Sequence, residues 1–160
     1  MASKTAAELR LYFLLQLAAH LLKKVADARL QESAGLSTAQ AAVLAIVSSR
    51  QPISQRAVAR ELRQNESAMT AMVARLLKLG YVARVRSKAD ERTWDLRMTQ
   101  LGTTALEAAR PAFSTINNAL ENALENTERR NLAVGLKKII AVIDSFDSGA
   151  RRRDVKRTMS

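Results

Sequence analysis

The chain has 160 residues, 48% of them apolar, which is enough for one compact core. It has no cysteine and one histidine, His20, which excludes disulfides and thiol chemistry and argues against a multi-histidine zinc site. Lysine and arginine number 26 against 15 acidic residues, and the net charge of +11 favours a polyanionic partner. A Gly-rich phosphate loop and a Ser-His-Asp set are both missing, so we expect neither an enzyme nor a cofactor.

The first predicted helix, residues 9–30, is apolar on more than one face. Leucines recur at helical spacing, and Tyr12 and Phe13 widen the apolar surface beyond one stripe. A second subunit is the natural cover for such a helix in a chain of this size. Charged residues such as Lys23 and Lys24 interrupt the apolar run, so it cannot span a bilayer. With no signal-peptide pattern either, we expect a cytoplasmic protein without membrane contact.

Three short helices and a hairpin are predicted between residues 37 and 99. Capping and stop residues mark the helix boundaries, namely Ser37 with Gln40, Ser54, Asn65 and Gly80. From Tyr81 onwards the apolar period changes from helical to two, which predicts a strand, a polar turn over residues 87–91 and a returning strand.

The third of these helices has two distinct faces. Its apolar residues recur at helical spacing and are expected to pack on the other two helices: Met69, Met72, Val73, Leu76 and Leu77. The opposite face is small and lightly polar, which lets a helix enter the major groove of DNA, although an ordinary solvated helix also has such a face. The candidate base and phosphate contacts on this helix are Ser67, Ala68, Thr70, Ala71, Arg75 and Lys78.

The hairpin that follows is strongly basic. Between residues 84 and 97 five cations are opposed only by Asp90, Glu91 and Asp95. This composition is typical of a wing that follows the phosphate backbone or enters the minor groove. The candidate DNA-binding residues of the wing are Arg84, Arg86, Lys88, Asp90 and Arg92.

Helical spacing resumes after Thr99. A long helix contains Pro111, which is expected to kink it, and Thr127 is predicted to cap a last amphipathic helix. Residues 9–34 and 100–147 are therefore predicted to form a helical dimerisation region around a DNA-binding domain of residues 37–99. The arginine-rich segment 148–160 is expected to be a mobile basic tail that is either simply solvated or adds nonspecific phosphate attraction.

The run from Ser54 to Gly102 resembles the MarR (multiple antibiotic resistance regulator) family of winged-helix repressors. The resemblance is carried by Ala74-Arg75-Leu76-Leu77-Lys78-Leu79-Gly80-Tyr81-Val82, by Val82-Ala83-Arg84 through Asp90-Glu91-Arg92, and by Leu96-Arg97-Met98-Thr99 with Leu101-Gly102. It implies a mainly α fold, in which three short helices and a two-stranded β wing form the DNA-binding domain and the terminal helices interlock in an obligate dimer. It also implies that Ser67, Ala68, Thr70 and Ala71 face bases, while Arg92 reaches the minor groove.

Three positions depart from the family pattern. Glu66 and Ala71 stand where many relatives have arginine, and Ala74 stands where an acid often braces the wing arginine. We therefore expect weak guanine readout by this helix and greater dependence on the wing and on DNA shape. Either Asp90 or Glu91 orients Arg92 instead, or the wing is looser when DNA is absent.

Together these patterns predict a sequence-specific transcriptional regulator, expected to be a repressor, that binds duplex DNA as a homodimer at a pseudo-palindromic operator. The alternative is a winged-helix module for protein interaction or for nonspecific architectural DNA binding, without ligand sensing. The release signal left open is a small aromatic ligand or none at all. The candidate pocket residues are Tyr12, Phe13, Gln16 and His20, and a plain surface or interface role is the simpler interpretation of the histidine.

Overall fold

The computed structural model describes residues 2–88, 90 and 92–158, with side chains described only within residues 10–146. The chain divides into two compact units, residues 1–116 and 117–160. The elements are α1 (Ala2–Ala34), α2 (Thr38–Arg50), β1 (Ile53–Ser54), α3 (Gln55–Glu61), α4 (Glu66–Lys78), β2 (Val82–Arg86), β3 (Trp94–Met98), α5 (Gln100–Asn122) and α6 (Asn126–Thr158).

The core of the first unit forms where α2, α3 and α4 pack together with the sheet. Its fully buried side chains include Leu44, Val58, Met69, Leu76 and Leu96. The predicted inner face of α4 is confirmed, because Val73 is also buried. Met72 and Leu77 are partly buried and pack against the same core. This packing leaves the opposite side of α4 at the surface.

The sheet has three antiparallel strands in the order β1-β3-β2. The predicted hairpin is present, with Arg84 opposite Leu96 and Arg86 opposite Trp94. The two-stranded wing is thus confirmed, and the structure adds a strand that was not predicted, because Ile53 pairs with Leu96 and places β1 at the other edge of β3. Since β1 has two residues, it is too short to show the alternation that identifies a strand in a sequence.

The predicted caps of the three short helices are confirmed. Ser37 and Gln40 form both hydrogen bonds of a capping box, Ser54 accepts from the Ala57 N–H, and the Asn65 side chain accepts from the Ala68 N–H. Gly80 ends α4 with a φ of 72°, a left-handed conformation that glycine adopts without strain.

Asp27 joins α1 to the beginning of α2. Its carboxylate accepts a hydrogen bond from the Lys23 ammonium, and also accepts from the backbone N–H and the hydroxyl of Thr38, each at 2.7 Å. These bonds, the one from Lys23 first, lower the pKa of Asp27 from 3.8 to about 2, because each favours the charged carboxylate. The negative charge also lies favourably at the N-terminus of α2.

The long helices differ from expectation mainly at their ends. α1 begins at Ala2, before the predicted residue 9, and α5 continues through Pro111 as one helix. The predicted Thr127 cap is wrong, because α6 begins at Asn126 and the N–H of the preceding Glu125 is accepted by the Glu128 carboxylate. A threonine suits a cap only when it precedes the first helical turn.

Residues 148–158 continue α6 as helix, and the mobility expected of the basic tail stays a prediction. Within the ranges that the structure describes, none of the helices has a stretch with both the length and the apolar character of a membrane span.

Candidate nucleic-acid interface

The outward face of α4 is a strip of small side chains. The exposed residues along it are Ser67, Ala68, Thr70, Ala71 and Ala74, and Arg75 and Lys78 are exposed in the last turn. The structure thus brings together all six residues predicted on this helix. A strip without bulky side chains allows the helix backbone to approach base edges, while cations in the last turn suit phosphates.

The hydroxyl groups at the start of α4 are already hydrogen-bonded. Thr70 Oγ1 donates to the Glu66 carbonyl at 2.7 Å and accepts from the Gln55 side-chain amide at 2.8 Å. Ser67 Oγ donates to Asn65 Oδ1 at 2.9 Å. In this arrangement Thr70 offers a base its methyl group and its remaining lone pair, and not a hydroxyl hydrogen.

Two residues of α3 belong to this surface and were not predicted. Gln55 contacts Thr70, and Arg56 Nε lies 3.3 Å from a Glu66 carboxylate oxygen. The ion pair is exposed and adds little stability, but it places a positive charge beside an acid that would otherwise repel phosphates. No periodic pattern in the sequence marks either residue. Both lie beside α4 because the turn between α3 and α4 brings the two helices together.

The wing presents its predicted cations to solvent. Arg84, Arg86, Lys88 and Arg92 are all exposed. The Arg86 guanidinium lies over the ring of Trp94, with its carbon 4.2 Å from the ring centroid. The wing therefore has a defined cross-strand contact near its outer end.

Asp90 shapes the tip of the wing. One of its carboxylate oxygens accepts from the Arg92 backbone N–H at 2.9 Å, and its carbonyl accepts from the Thr93 N–H at 2.9 Å. Asp90 thus fixes the backbone at Arg92, which is one way to orient that arginine. Glu91, the other candidate, lies outside the described residues.

The joint between α4 and the wing is held by Thr99 and Gly102. Thr99 Oγ1 donates to the Gly80 carbonyl at 2.6 Å, its N–H donates to the Tyr81 carbonyl at 3.1 Å, and Oγ1 accepts from the Gly102 N–H at 3.0 Å. A Cβ at residue 102 would lie 2.0 Å from the Tyr81 carbonyl oxygen, so the close approach of α5 requires glycine. This contact fixes the wing relative to α4.

The residues predicted to hold a ligand lie on the exposed surface of α1. The rings of Tyr12 and Phe13 are 5.7 Å apart in an edge-on contact, and Gln16 and His20 are exposed as well. A cavity of about 450 Å³ lies elsewhere, between α2 and α5, and none of these four side chains lines it. Its lining residues are Thr38, Ala41, Ala42, Ala45, Ser48, Ser49, Leu106, Arg110 and Phe113.

In the described part of the chain, no three His, Cys, Asp or Glu side chains lie close enough together to hold a metal ion.

Comparison with known proteins gives a consistent family match. Residues 34–93 match the model described as the MarR family. An uncharacterized HTH-type transcriptional regulator of Bacillus cereus is 30% identical over 97 residues, which are 61% of this chain and 64% of that protein. The chain therefore spans less than two thirds of the length of this relative. The name of this relative denotes a transcriptional regulator.

Two solved structures are similar over most of the chain. The transcriptional regulator BldR from Sulfolobus solfataricus has a TM-score of 0.73 and 27% identity, covering 86% of this chain and 97% of that one. The MepR chain of an S. aureus MepR-DNA complex has a TM-score of 0.76 and 20% identity, covering 82% of this chain and 96% of that one. The predicted winged-helix fold is thereby confirmed.

Proposed function

We propose that the chain is a transcriptional regulator that represses genes by binding duplex DNA as a homodimer at a pseudo-palindromic operator. The match of residues 34–93 to the MarR family model supports this proposal. The observation that carries this proposal is the small exposed face of α4 beside a basic wing, joined to it by the contact between Gly102 and Tyr81. The complex of MepR with DNA supports the same partner. Binding to chromosomal DNA places the protein in the cytoplasm.

In this proposal each part of the surface has a different contact. The first two turns of α4 enter the major groove, where Ser67, Ala68, Thr70 and Ala71 lie against bases. Phosphates are neutralised by Arg75 and Lys78 in the last turn of α4, by the arginines of β2 and by the lysine of the wing turn. Arg92 reaches the minor groove from the wing tip. Because the first two turns of α4 carry no arginine, specificity depends strongly on the wing and on DNA shape.

Exposed apolar side chains in both units support the homodimer. On α1 Leu11, Leu14 and Leu17 are each more than half exposed, although they are large and aliphatic. On α6 a second stripe of exposed aliphatic residues contains Leu132, Leu136, Ile140 and Ile143. Such surfaces are unfavourable in water and are typical of subunit interfaces. Sedimentation of the full chain is expected to give a dimer at all measurable concentrations.

The DNA-binding proposal is tested by fluorescence anisotropy with duplexes selected by the protein from a random library. Arg92→Ala is expected to weaken binding to every duplex and to lower the salt slope by about 0.9 per wing, because one phosphate-region cation is lost. Thr70→Ala is expected to change the ranking of duplexes and leave the salt slope unaltered. Arg130→Ala, which removes an exposed charge from α6, is the matched control. Equal weak binding of all duplexes by all variants would support the architectural alternative.

The ligand proposal is a small aromatic acid in the cavity between α2 and α5. Arg110 offers a cation for a carboxylate and Phe113 offers a ring face, in a space of about 450 Å³. A ligand there lies between α2 of the DNA-binding domain and α5 of the proposed dimerisation region, so in this proposal it alters the spacing of the two α4 helices of the dimer. The four residues on α1 form the competing location.

Calorimetry with a panel of phenolic acids tests both locations. Arg110→Ala is expected to abolish binding, whereas His20→Ala is expected to leave it intact. The reverse pattern places the ligand on α1. No heat with any acid at millimolar concentration contradicts ligand sensing altogether.

A further inference from the structure

The outer end of the wing carries the only tryptophan of the chain, Trp94. It is 46% exposed, whereas Leu96, two residues further along the same face of β3, is buried. Trp94 lies directly opposite Arg86 in the β2–β3 register, and the guanidinium carbon lies 4.2 Å from the centre of its ring. The ring therefore continues the inner face of the hairpin outwards, beyond the core, where its neighbour is a cation.

The contact with Trp94 constrains the Arg86 side chain. The guanidinium carbon lies over the indole ring in a cation–π contact, so the ring limits the positions that the end of the side chain can take. A long exposed arginine loses much rotamer freedom when it binds a phosphate, and a side chain that is already held loses less. Arg84, one pair nearer the core, lies opposite the aliphatic Leu96 and has no aromatic ring across the strand.

We propose that Trp94 is a positioning residue, which holds Arg86 in the orientation that contacts the DNA backbone. This inference rests on the proposed function, since it concerns how the wing binds DNA. It assigns Trp94 an indirect role, so the tryptophan acts only when Arg86 is present. A tryptophan that touched DNA itself would act independently of the arginine.

A double-mutant cycle separates these cases, using anisotropy with a duplex that the wild-type chain selects from a random library. Trp94→Leu is expected to weaken binding about two- to five-fold and to leave the salt slope unchanged, because no charge is lost. Arg86→Ala is expected to lower the slope by about 0.9 per wing. In the double variant the tryptophan change is expected to have no further effect, and Trp94→Phe is expected to restore most of the affinity because it retains a ring face.

A second readout tests the stack in the absence of DNA. Because Trp94 is the sole tryptophan, its emission reports on this site alone. Arg86→Ala is expected to increase quenching by acrylamide, since it uncovers one face of the indole, while Arg84→Ala leaves quenching unchanged. Thermal unfolding of each variant verifies that the fold is kept.

The outcomes distinguish this inference from the function on which it rests. Additive effects of the two substitutions, or quenching that Arg86→Ala does not alter, overturn the positioning role while wild-type DNA binding stands. If the wild-type chain selects no duplex, the proposed function fails together with the inference, whatever the quenching shows.

Discussion

Replacing Gly102 by alanine is expected to destabilise the first unit, although alanine is normally the better helix former. Gly102 lies in the first turns of α5, where it is buried against the backbone of Tyr81. An alanine Cβ would lie 2.0 Å from the Tyr81 carbonyl oxygen and 2.9 Å from its carbon, and real Cβ atoms essentially never approach closer than 3.0 Å. The backbone at Tyr81 must therefore move by about an ångström, because a carbonyl group cannot rotate away like a side chain.

The magnitude follows from three contributions. Overpacking of a tight site costs about 1–3 kcal/mol. Displacing the Tyr81 carbonyl weakens its bond from the Thr99 N–H, which adds about 1 kcal/mol. The higher helix propensity of alanine offsets about 1 kcal/mol. The net expectation is a loss of about 1–3 kcal/mol in the free energy of unfolding.

Urea unfolding of the full chain measures this loss, and Gly135→Ala is the matched control. A Cβ at Gly135 in α6 meets nothing within 4 Å, so that substitution is expected to be neutral or to stabilise by up to about 1 kcal/mol. Gly102→Ala is also expected to weaken DNA binding, because Tyr81 links α4 to the wing. If Gly102→Ala is as stable as the wild-type chain, the steric argument is wrong.

Three further results are expected. Asn65→Ala removes the cap of α4 and lowers the free energy of unfolding by about 1 kcal/mol, whereas Asn65→Asp keeps the acceptor; equal thermal melts of both variants would contradict the cap. Because the pKa of Asp27 is lowered to about 2, its contribution to stability is complete above pH 3.8 and is lost as the pH falls towards 2; an equally steep loss in Asp27→Asn would contradict this. Gln55→Ala removes the donor to Thr70 and changes the preferred duplex sequence at an unchanged salt slope; an unaltered preference excludes Gln55 from recognition.

The features that could be predicted from the sequence are those that depend on residues close together in the chain. The two faces of α4 follow from a spacing of three and four residues, and the caps at Ser37, Ser54 and Asn65 satisfy N–H groups only three residues away. Gly80 similarly marks a helix end because a left-handed residue is needed there. All of these depend on neighbours in the chain.

The features that could not be predicted depend on residues far apart in the sequence. β1 exists because Ile53 meets Leu96, and Gln55 lies on the candidate nucleic-acid interface because the turn between α3 and α4 places it beside Thr70. The cavity between α2 and α5 likewise joins residues on two helices that no local pattern connects. The error at Thr127 is of a different kind, since one residue of displacement is enough to move a cap inside a helix.

The most direct test of a dimeric DNA reader is a hydroxyl-radical footprint on the duplex that the full chain selects from a random library. We expect two protected half-sites related by two-fold symmetry, with their centres about 10 bp apart, as two α4 helices of one dimer require. Enrichment of no sequence, or a footprint without two-fold symmetry, would contradict the proposed mode of binding.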